Sequence, residues 1–224
     1  MRAKTLNRIP TALVSNWAGR APEGNDAETW KVGLAGKEKD AYLKLTNDTI
    51  ITISELAASQ VGRALGMSIP KSYLVQVDID EIPKPTIIKG TGEIYCFASE
   101  SCSEEPVTLE RLMRGPAFNI PHWPERDTTL VFDEWTANVD RHKGNVVYDP
   151  QTKNYWLIDH GRALTGMPPD FIDLSNSSVM CQNQLLTDNM TEMNEKYAQH
   201  LRQQSNKLML ECQQINMNSL DIDD

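Results

Sequence analysis

The sequence lacks the features that mark several common classes of protein. It contains four cysteines, Cys96, Cys102, Cys181 and Cys212. They form no CxxC pair and have no histidine at metal-ligand spacing, so we expect neither a zinc site nor a disulfide framework, and we expect a cytoplasmic protein. No apolar run reaches the length of a membrane span, and residues 1–16 are polar and broken by Pro10, unlike a secretory signal. We therefore expect no membrane partner.

A cluster of basic residues is also missing. The lysines and arginines are scattered along the chain, and the formal net charge is -9 at pH 7. Such a balance repels the phosphate backbone of nucleic acids, which are therefore not expected partners.

What remains is the composition of a folded enzyme-sized protein. The 224 residues include 40% hydrophobic and 24% charged residues, as is usual for a globular chain. This length suits one generous domain or two small lobes that share an interface.

The first forty residues are predicted to be irregular, because Pro10, Pro22 and several glycines interrupt short apolar pieces. The stretch 41–45, AYLKL, then alternates as a strand does. This alternation places Lys44 on the face opposite Leu43 and Leu45.

A helix is predicted over residues 53–67, ISELAASQVGRALGM, ending near Gly66 and carrying Glu55 in its first turn. Two more strands are predicted, over 72–77 and 93–98, with a proline-rich loop between them. The first hundred residues therefore consist mainly of strands around one helix.

The second half of the chain is predicted to be mostly helical. Asp127 is placed to cap a helix that runs toward Asn138 and buries Phe132 and Trp135. A hairpin follows, with strands at 146–148 and 155–158. A helical stripe near the C-terminus consists of Met190, Met193, Tyr197 and Leu201. With a boundary placed at 99–106, the fold class is α+β, with a β-rich unit over 1–100 and a mostly helical unit over 101–224.

The hairpin gathers oxygen ligands at one end. Asn145 precedes its first strand and Asp159 follows its second, so the two side chains are expected to be neighbours. One amide oxygen and one carboxylate, completed by water and phosphate oxygens, are a suitable magnesium site. Asp140, just outside this pair, is placed to orient the proton of an attacking hydroxyl. These residues predict a phosphate-transfer site.

The sequence of this region resembles that of a known family. DRHKGN followed by IDHG, and preceded by FDEWTANV, resembles the HipA-like kinases, in particular their short stand-alone members. The DRHxxN and ID-x-G pair is also similar to the phosphoinositide lipid kinases, and the interval from Asp140 to Asn145 matches the catalytic loop of protein kinases. The resemblance covers about residues 42–164. It implies a two-lobed protein-kinase-like fold, with a small β-rich N-lobe that binds nucleotide and a mostly helical C-lobe.

The resemblance also implies roles for individual residues. Asp140 is the implied catalytic base, and Asn145 and Asp159 are the implied metal ligands. His142 is the second implied catalytic residue, which either contacts phosphate or shapes the loop.

In the first lobe, the resemblance implies that Lys44 binds the α/β-phosphates of ATP and is held by Glu55. Taken alone, Lys44 is explained as a solvated strand residue, and Glu55 as a favourable charge at a helix start. The hinge that meets adenine is implied at Cys96, Phe97 and Ala98.

The sequence departs from the kinase pattern at two points. No GxGxxG stands before AYLKL, so the cover over the phosphates is expected from Gly33 to Lys37. His160 stands where protein kinases have the aromatic residue of DFG, which excludes switching by a phenylalanine flip, and a structural role is expected for it.

The function expected from this resemblance is an ATP- and Mg²⁺-dependent transfer of phosphate to a serine or threonine of a protein. A small molecule or a lipid is the alternative acceptor, and a non-catalytic binding or regulatory module is the alternative class. A toxin-like effector that acts on the translation apparatus, with a regulatory, antitoxin-like partner, is a further alternative. The sequence does not name the acceptor.

Overall fold

The computed structural model describes residues 4–5, 8–21, 28–114, 123–164 and 194–216. Within these ranges the fold is a mixture of strands and helices, as the α+β prediction requires. The strands are β1 (Lys4–Thr5), β2 (Thr11–Arg20), β3 (Glu28–Leu34), β4 (Ala41–Leu45), β5 (Ser72–Asp78), β6 (Glu93–Glu100), β7 (Val107–Thr108), β8 (Val146–Asp149), β9 (Asn154–Leu157) and β10 (Ile215–Asn216). The α-helices are α1 (Thr49–Ala64), α2 (Leu109–Arg114), α3 (Arg126–Trp135) and α4 (Glu195–Cys212).

Five strands close into a barrel in the order β2-β3-β4-β6-β5. Neighbours are antiparallel except for β2 and β5, which close the barrel in parallel through the start of β2. Alternate residues of the strands fill its interior, as the two-residue period of a strand requires. The buried interior consists of Trp30, Val32, Leu34, Ala41, Leu43, Leu45, Tyr73, Val75, Val77, Ile79, Ile82, Ile88, Cys96 and Ala98.

The remaining strands form two small sheets. β7, β8 and β9 form a three-stranded sheet that contains the predicted hairpin, and β1 pairs in parallel with β10. A second core packs the end of α1 against α3, the hairpin and α4, with Phe132 fully buried in it. The backbone N–H of Leu157 donates to the carbonyl of Ser68 at 2.9 Å, which ties the hairpin to the segment after α1.

The predicted strands from 41 onward and the hairpin are confirmed, but the irregular structure predicted for the first forty residues is wrong. β2 and β3 occupy much of that stretch. β2 escaped prediction because it contains no fully buried residue and because irregular register beside Asn16 and near Trp17 breaks its alternation. β3 does alternate, with Trp30, Val32 and Leu34 inside the barrel.

Gly33 is a glycine for a local reason. The Oδ1 atom of Asn16 accepts a hydrogen bond from the backbone N–H of Gly33 at 2.6 Å. A Cβ atom at residue 33 would lie 2.3 Å from that oxygen. The contact between the irregular part of β2 and β3 therefore requires glycine here.

α1 begins earlier than predicted, at Thr49 instead of Ile53. The side chain of Asp48 caps it, accepting hydrogen bonds from the N–H groups of Ile50 at 2.8 Å and Ile51 at 3.3 Å. Glu55 is therefore the seventh residue of the helix and not in its first turn. Because it is fully buried, a favourable charge at the helix start does not explain it.

Two predictions about α3 are also wrong. Asp127 is not its N-cap, because the helix starts at Arg126 after Glu125. The Asp127 carboxylate instead accepts a hydrogen bond from the hydroxyl of Tyr197 on α4, at 2.7 Å. Trp135, predicted to be core, is 51% exposed, because it is the last residue of a helix that ends before Asn138.

The C-terminal helical stripe is described only in part. Tyr197 and Leu201 lie in α4, whereas Met190, Met193 and Cys181 lie outside the described residues. In the described part of the chain, no helix is long and apolar enough to cross a membrane. The predicted division into units 1–100 and 101–224 stays a prediction.

The cap of α1 yields a prediction about stability. We expect Asp48→Ala to lower the free energy of unfolding by about 1 kcal/mol, because two N–H groups of the first turn lose their acceptor. Asp48→Asn keeps an acceptor oxygen and is the matched control. Urea unfolding measured by circular dichroism compares the variants, and equal losses for alanine and asparagine would contradict the capping role.

Candidate active site

Lys44 lies at the centre of three charged side chains. Its Nζ donates a hydrogen bond to Oε1 of Glu55 and another to Oδ1 of Asp159, the latter at 2.7 Å. The Glu55 side chain is fully buried, Lys44 is 17% exposed, and Asp159 is 39% exposed. The ammonium group therefore joins three separate elements of the chain: β4, α1 and the turn after β9.

Each of these elements presents its side chain for a local reason. Lys44 lies between buried Leu43 and Leu45, so the strand alternation turns it out of the barrel. Glu55 faces it because α1 packs on β5 and β6. Asp159 has a left-handed backbone with φ of 61°, a conformation that aspartate adopts more readily than most residues. The turn thereby directs its carboxylate to Lys44.

The electrostatics of the cluster favour the charged forms of Lys44 and Asp159. Burial alone would lower the pKa of Lys44, but the Glu55 and Asp159 carboxylates outweigh it and raise that pKa well above its ordinary value. Burial would raise the pKa of Asp159, but the charges of Lys44 and Arg141 lower it overall. Burial does raise the pKa of Glu55, with Lys44 acting in the opposite direction. Lys44 and Asp159 therefore form an ion pair at neutral pH.

The turn that carries Asp159 is attached to α1. The backbone N–H of His160 donates to Oε2 of Glu55 at 2.9 Å. Gly161 permits this approach, because a Cβ there would lie 3.1 Å from Cγ2 of Ile51. The ring of His160 is buried edge-to-face against Phe132, with centroids 6.3 Å apart. Burial and the charge of Arg141 lower the pKa of His160 well below its ordinary value, so this imidazole is neutral.

The two predicted metal ligands lie side by side on the hairpin. The backbone of Asn145 is next to that of Ile158, whose N–H donates to the Asn145 carbonyl at 3.1 Å, and Asp159 follows directly. The Nδ2 group of Asn145 donates to the carbonyl of Asp140 at 2.9 Å. This bond engages the amide through its nitrogen, so Oδ1 is the atom that a cation would require. The neighbourhood that the hairpin predicted is therefore present.

Asp140 faces the same turn. Its Oδ2 lies 3.8 Å from Nε of Arg162, and its N–H donates to Oδ1 of Asn138 at 3.3 Å. The Asp140 side chain is 20% exposed, so a carboxylate oxygen can be reached from solvent. The loop therefore brings Asp140 to the edge of the cluster formed by Asn145 and Asp159.

His142 has a structural partner. Its Nδ1 accepts a hydrogen bond from the N–H of Gly144 at 3.0 Å and caps the short 3₁₀ turn over Lys143–Asn145. This contact accounts for His142 as the residue that shapes the loop, and it favours that alternative over phosphate contact.

A buried ion pair, not predicted from the sequence, holds the loop in place. The guanidinium of Arg141 donates from Nε and Nη2 to the two oxygens of Asp133, at 2.9 Å and 3.2 Å. Its Nη1 donates to the carbonyls of Asn145, at 2.9 Å, and Ile158. Both charged side chains are fully buried. Arg141 thus fastens the loop to α3 and to both strands of the hairpin.

The residues present suit magnesium. Mg²⁺ is usually held by one or two protein oxygens together with water and substrate phosphates. Asn145 has an amide oxygen and Asp159 a carboxylate, which are the two ligands expected from the sequence. Among the described residues, no group of three or more His, Cys, Asp or Glu side chains is arranged to hold a metal ion. A protein-only metal cage is therefore not what this cluster offers.

The family model of the HipA-like kinases matches residues 38–218, which is most of the chain. The chain belongs to the HipA-like kinases. A search of curated proteins found no match. Among solved structures, it is similar to the crystal structure of a proinflammatory kinase of Helicobacter pylori, CtkA, with a TM-score of 0.51 and 15% identity, covering 95% of this chain and 84% of that one. At this identity the likeness shows a shared fold.

The family match bears on the sequence predictions unevenly. It covers all the predicted site residues of this HipA-like kinase, from Lys44 to Asp159, and it begins after β2 and β3. The structure brings together Lys44, Glu55 and Asp159, and it places Asn145 beside Asp159. The chemical roles of these residues stay predictions.

The predicted hinge is not supported by the geometry. Phe97 and Ala98 lie in the middle of β6 and pair with β4 on one side and β5 on the other. Cys96 and Ala98 are inside the barrel, and Phe97 packs against Leu56 of α1. Strand pairing already engages this stretch, so its backbone does not offer free groups to adenine.

Burial also raises the pKa of the Cys96 thiol, as it raises that of Cys102 to about 11.

The predicted cover over the phosphates lies at the wrong end of the barrel. Lys44 pairs with Thr29, whereas Ala41 pairs with Val32, and the turn after β3 follows at that end. Gly33 to Lys37 are therefore about 10 Å or more along the strands from the register position of Lys44. The end of β2 and the start of β3 are its neighbours instead. The sequence has no glycine motif before β4, and the cover over the phosphates was therefore expected at the nearest glycines in sequence.

The buried ion pair of this HipA-like kinase leads to a stability prediction. We expect Asp133→Ala to lower the free energy of unfolding by about 3–5 kcal/mol, because it leaves the Arg141 charge buried without its carboxylate. The exposed pair of Glu110 and Arg114 is the control, and Glu110→Ala should cost at most about 1 kcal/mol. Both are measured by denaturant unfolding. Equal losses would show that the buried pair has no special weight.

The neutral His160 predicts a pH dependence. The unfolded chain binds a proton at this residue below about pH 6.5 while the folded chain does not, so stability falls as the pH is lowered. Between about pH 7.5 and 5.5, the parent should lose ~1.4 kcal/mol more than His160→Gln. His200, which is 44% exposed, is the control site. His200→Gln should show the same dependence of stability on pH as the parent. If the stability of His160→Gln also depends on pH as that of the parent does, His160 is not held neutral.

Proposed function

We propose that this HipA-like kinase transfers the γ-phosphate of ATP, with Mg²⁺, to a serine or threonine hydroxyl of a protein. The observation that supports this most is the position of Lys44 between Glu55 and Asp159. A cation held between a buried carboxylate and a metal-ligand carboxylate is suited to binding a polyphosphate beside a metal ion. A two-lobed, kinase-like arrangement, with the nucleotide between the barrel and the helical part, is part of the proposal.

Each side chain has a defined task in this proposal. Lys44 binds the α/β-phosphates, and Glu55 holds its ammonium group in place. Asn145 and Asp159 would hold Mg²⁺, which neutralises charge on the phosphoryl group when it is bound. Asp140 orients the acceptor hydroxyl and accepts its proton. Arg141 touches no reactant and acts by fixing the loop that carries Asp140 and Asn145.

The acceptor is the least constrained part of the proposal. A small molecule would serve the same site. A lipid head group is less favoured, because anionic membranes attract basic segments and this chain carries a net charge of -9. A non-catalytic binding module is the competing class, and it predicts nucleotide binding without transfer. A cytoplasmic location stays a prediction from cysteine usage.

Substitution of the proposed catalytic oxygens tests the function. We expect Asp140→Asn and Asp159→Asn to lower the rate of γ-phosphate transfer at least about a hundredfold, because each change removes a charge needed at the reacting group. Transfer from radiolabelled ATP with Mg²⁺ to a serine/threonine peptide mixture, and to the protein itself, is the measurement. Asp40→Asn, in an exposed ion pair with Lys31, is the matched control and should keep the parent rate.

The same assay separates the alternatives. If the parent binds ATP but transfers no more phosphate than Asp140→Asn, the binding-module alternative replaces the enzyme. Phosphoserine or phosphothreonine in the peptides supports a protein acceptor, whereas transfer only to added small alcohols or lipids contradicts it.

A further inference from the structure

Glu28 forms a buried polar network outside the cluster around Lys44. Its Oε1 accepts hydrogen bonds from Nε of Arg20 at 3.0 Å and from the indole N–H of Trp30 at 2.8 Å. Its Oε2 accepts from the hydroxyl of Thr86 at 3.1 Å and from the N–H of Ile87 at 2.7 Å. The Glu28 side chain is only 5% exposed. One carboxylate therefore satisfies donors from three separate segments.

The network joins the ends of two strands to a distant loop. Arg20 ends β2, Glu28 begins β3, and residues 85–87 belong to the long connection between β5 and β6. Arg20 also donates to the carbonyl of Pro85 at 2.7 Å and lies over the ring of Trp30. These contacts give the three segments one relative position, because a carboxylate with several fixed donors has little freedom to rotate.

The strand register places this network at the same end of β3 and β4 as Lys44, although Glu28 lies on the barrel-side face of the sheet and Lys44 on the other face. Glu28 pairs with Leu45, and the next residue, Thr29, pairs with Lys44 itself. The opposite end of the same two strands carries the exposed pair of Lys31 and Asp40. The Glu28 network is therefore at the end of the barrel where the phosphates of the proposed nucleotide would lie.

The charge of Glu28 is maintained by its donors. Burial would raise the pKa of this carboxyl, but the N–H of Ile87 and the side chains of Arg20, Trp30 and Thr86 outweigh burial and lower it. The carboxylate is thus ionised at neutral pH, and its two oxygens remain acceptors only.

We propose that Glu28 is a positioning residue for nucleotide binding: it holds the ends of β2 and β3 and the segment 85–87 in the arrangement that receives the phosphates at Lys44. The inference rests on the proposed function, and it adds a residue that touches no reactant. It specifies which part of the nucleotide depends on the network. The phosphates should depend on it, and the adenosine part should not.

Nucleotide binding by variants tests this inference. The affinities of the full chain for Mg²⁺–ATP and for adenosine are measured by isothermal titration calorimetry. We expect Glu28→Ala to weaken ATP binding about tenfold, as when only about a tenth of the molecules keep the competent arrangement, and to leave adenosine binding unchanged. Glu28→Gln keeps one acceptor oxygen, which can serve either Trp30 or Ile87, and should lie between alanine and the parent. Asp40→Asn, at the far end of the strands, should match the parent for both ligands.

Two results would overturn the inference alone. Equal weakening of ATP and adenosine binding would indicate a purely structural role, and unchanged ATP binding in Glu28→Ala would indicate none. If Glu28→Ala does not fold, Thr86→Val, which removes a single donor, takes its place with a smaller effect of the same selectivity. A parent that binds no ATP would instead overturn the proposed function together with the inference, whereas a parent that binds ATP while Glu28→Ala gives either result above would overturn the inference alone.

Discussion

The ion pairs of Lys44 are the interaction on which the rest of the site depends. Its ammonium group is shared by Glu55, 11 residues away in sequence, and Asp159, 115 residues away. The fully buried Glu55 carboxylate needs a partner, and Lys44 also binds Asp159, so the barrel, α1 and the turn after β9 meet at this ammonium group. The backbone N–H of His160 donates a second hydrogen bond to the Glu55 carboxylate. The site is therefore also the place where the separate parts of the chain are joined.

Much of this arrangement could be predicted because it is local or carried by a compact motif. Two apolar runs separated by turn residues predict the hairpin. Its antiparallel geometry alone puts Asn145 beside Asp159. The strict alternation of residue types along β4 predicts the face on which Lys44 lies. The family resemblance then connected Lys44 to Glu55, although the position of Glu55 in the helix was misjudged because Thr49 to Thr52 look unlike a helix start. Asp48 was the available signal.

The parts that escaped prediction depend on contacts between distant residues or on irregular backbone. β2 is bulged and only half-buried, so no period reveals it. The partnership of Asp133 with Arg141 leaves no pattern in the sequence, because Glu134, Asp140 and Lys143 offer other charges close by. Glu28 gives even less, since its donors come from segments up to 59 residues away. The end of β6 was also not predictable, because its sequence does not distinguish a strand that ends at Ala98 from one that ends at Glu100.

The attachment of His160 to Glu55 has a consequence for how such a site could be switched. In many kinases the helix that carries this glutamate can rotate outward, but here a rotation of α1 would part Glu55 from Lys44 and from the His160 N–H together. It would also move Ile51 away from the space beside Gly161 that a side chain at residue 161 would fill. Such a motion would leave several buried polar groups without partners in one step. The Glu55 carboxylate that holds Lys44 thus also fastens α1 to the turn after β9.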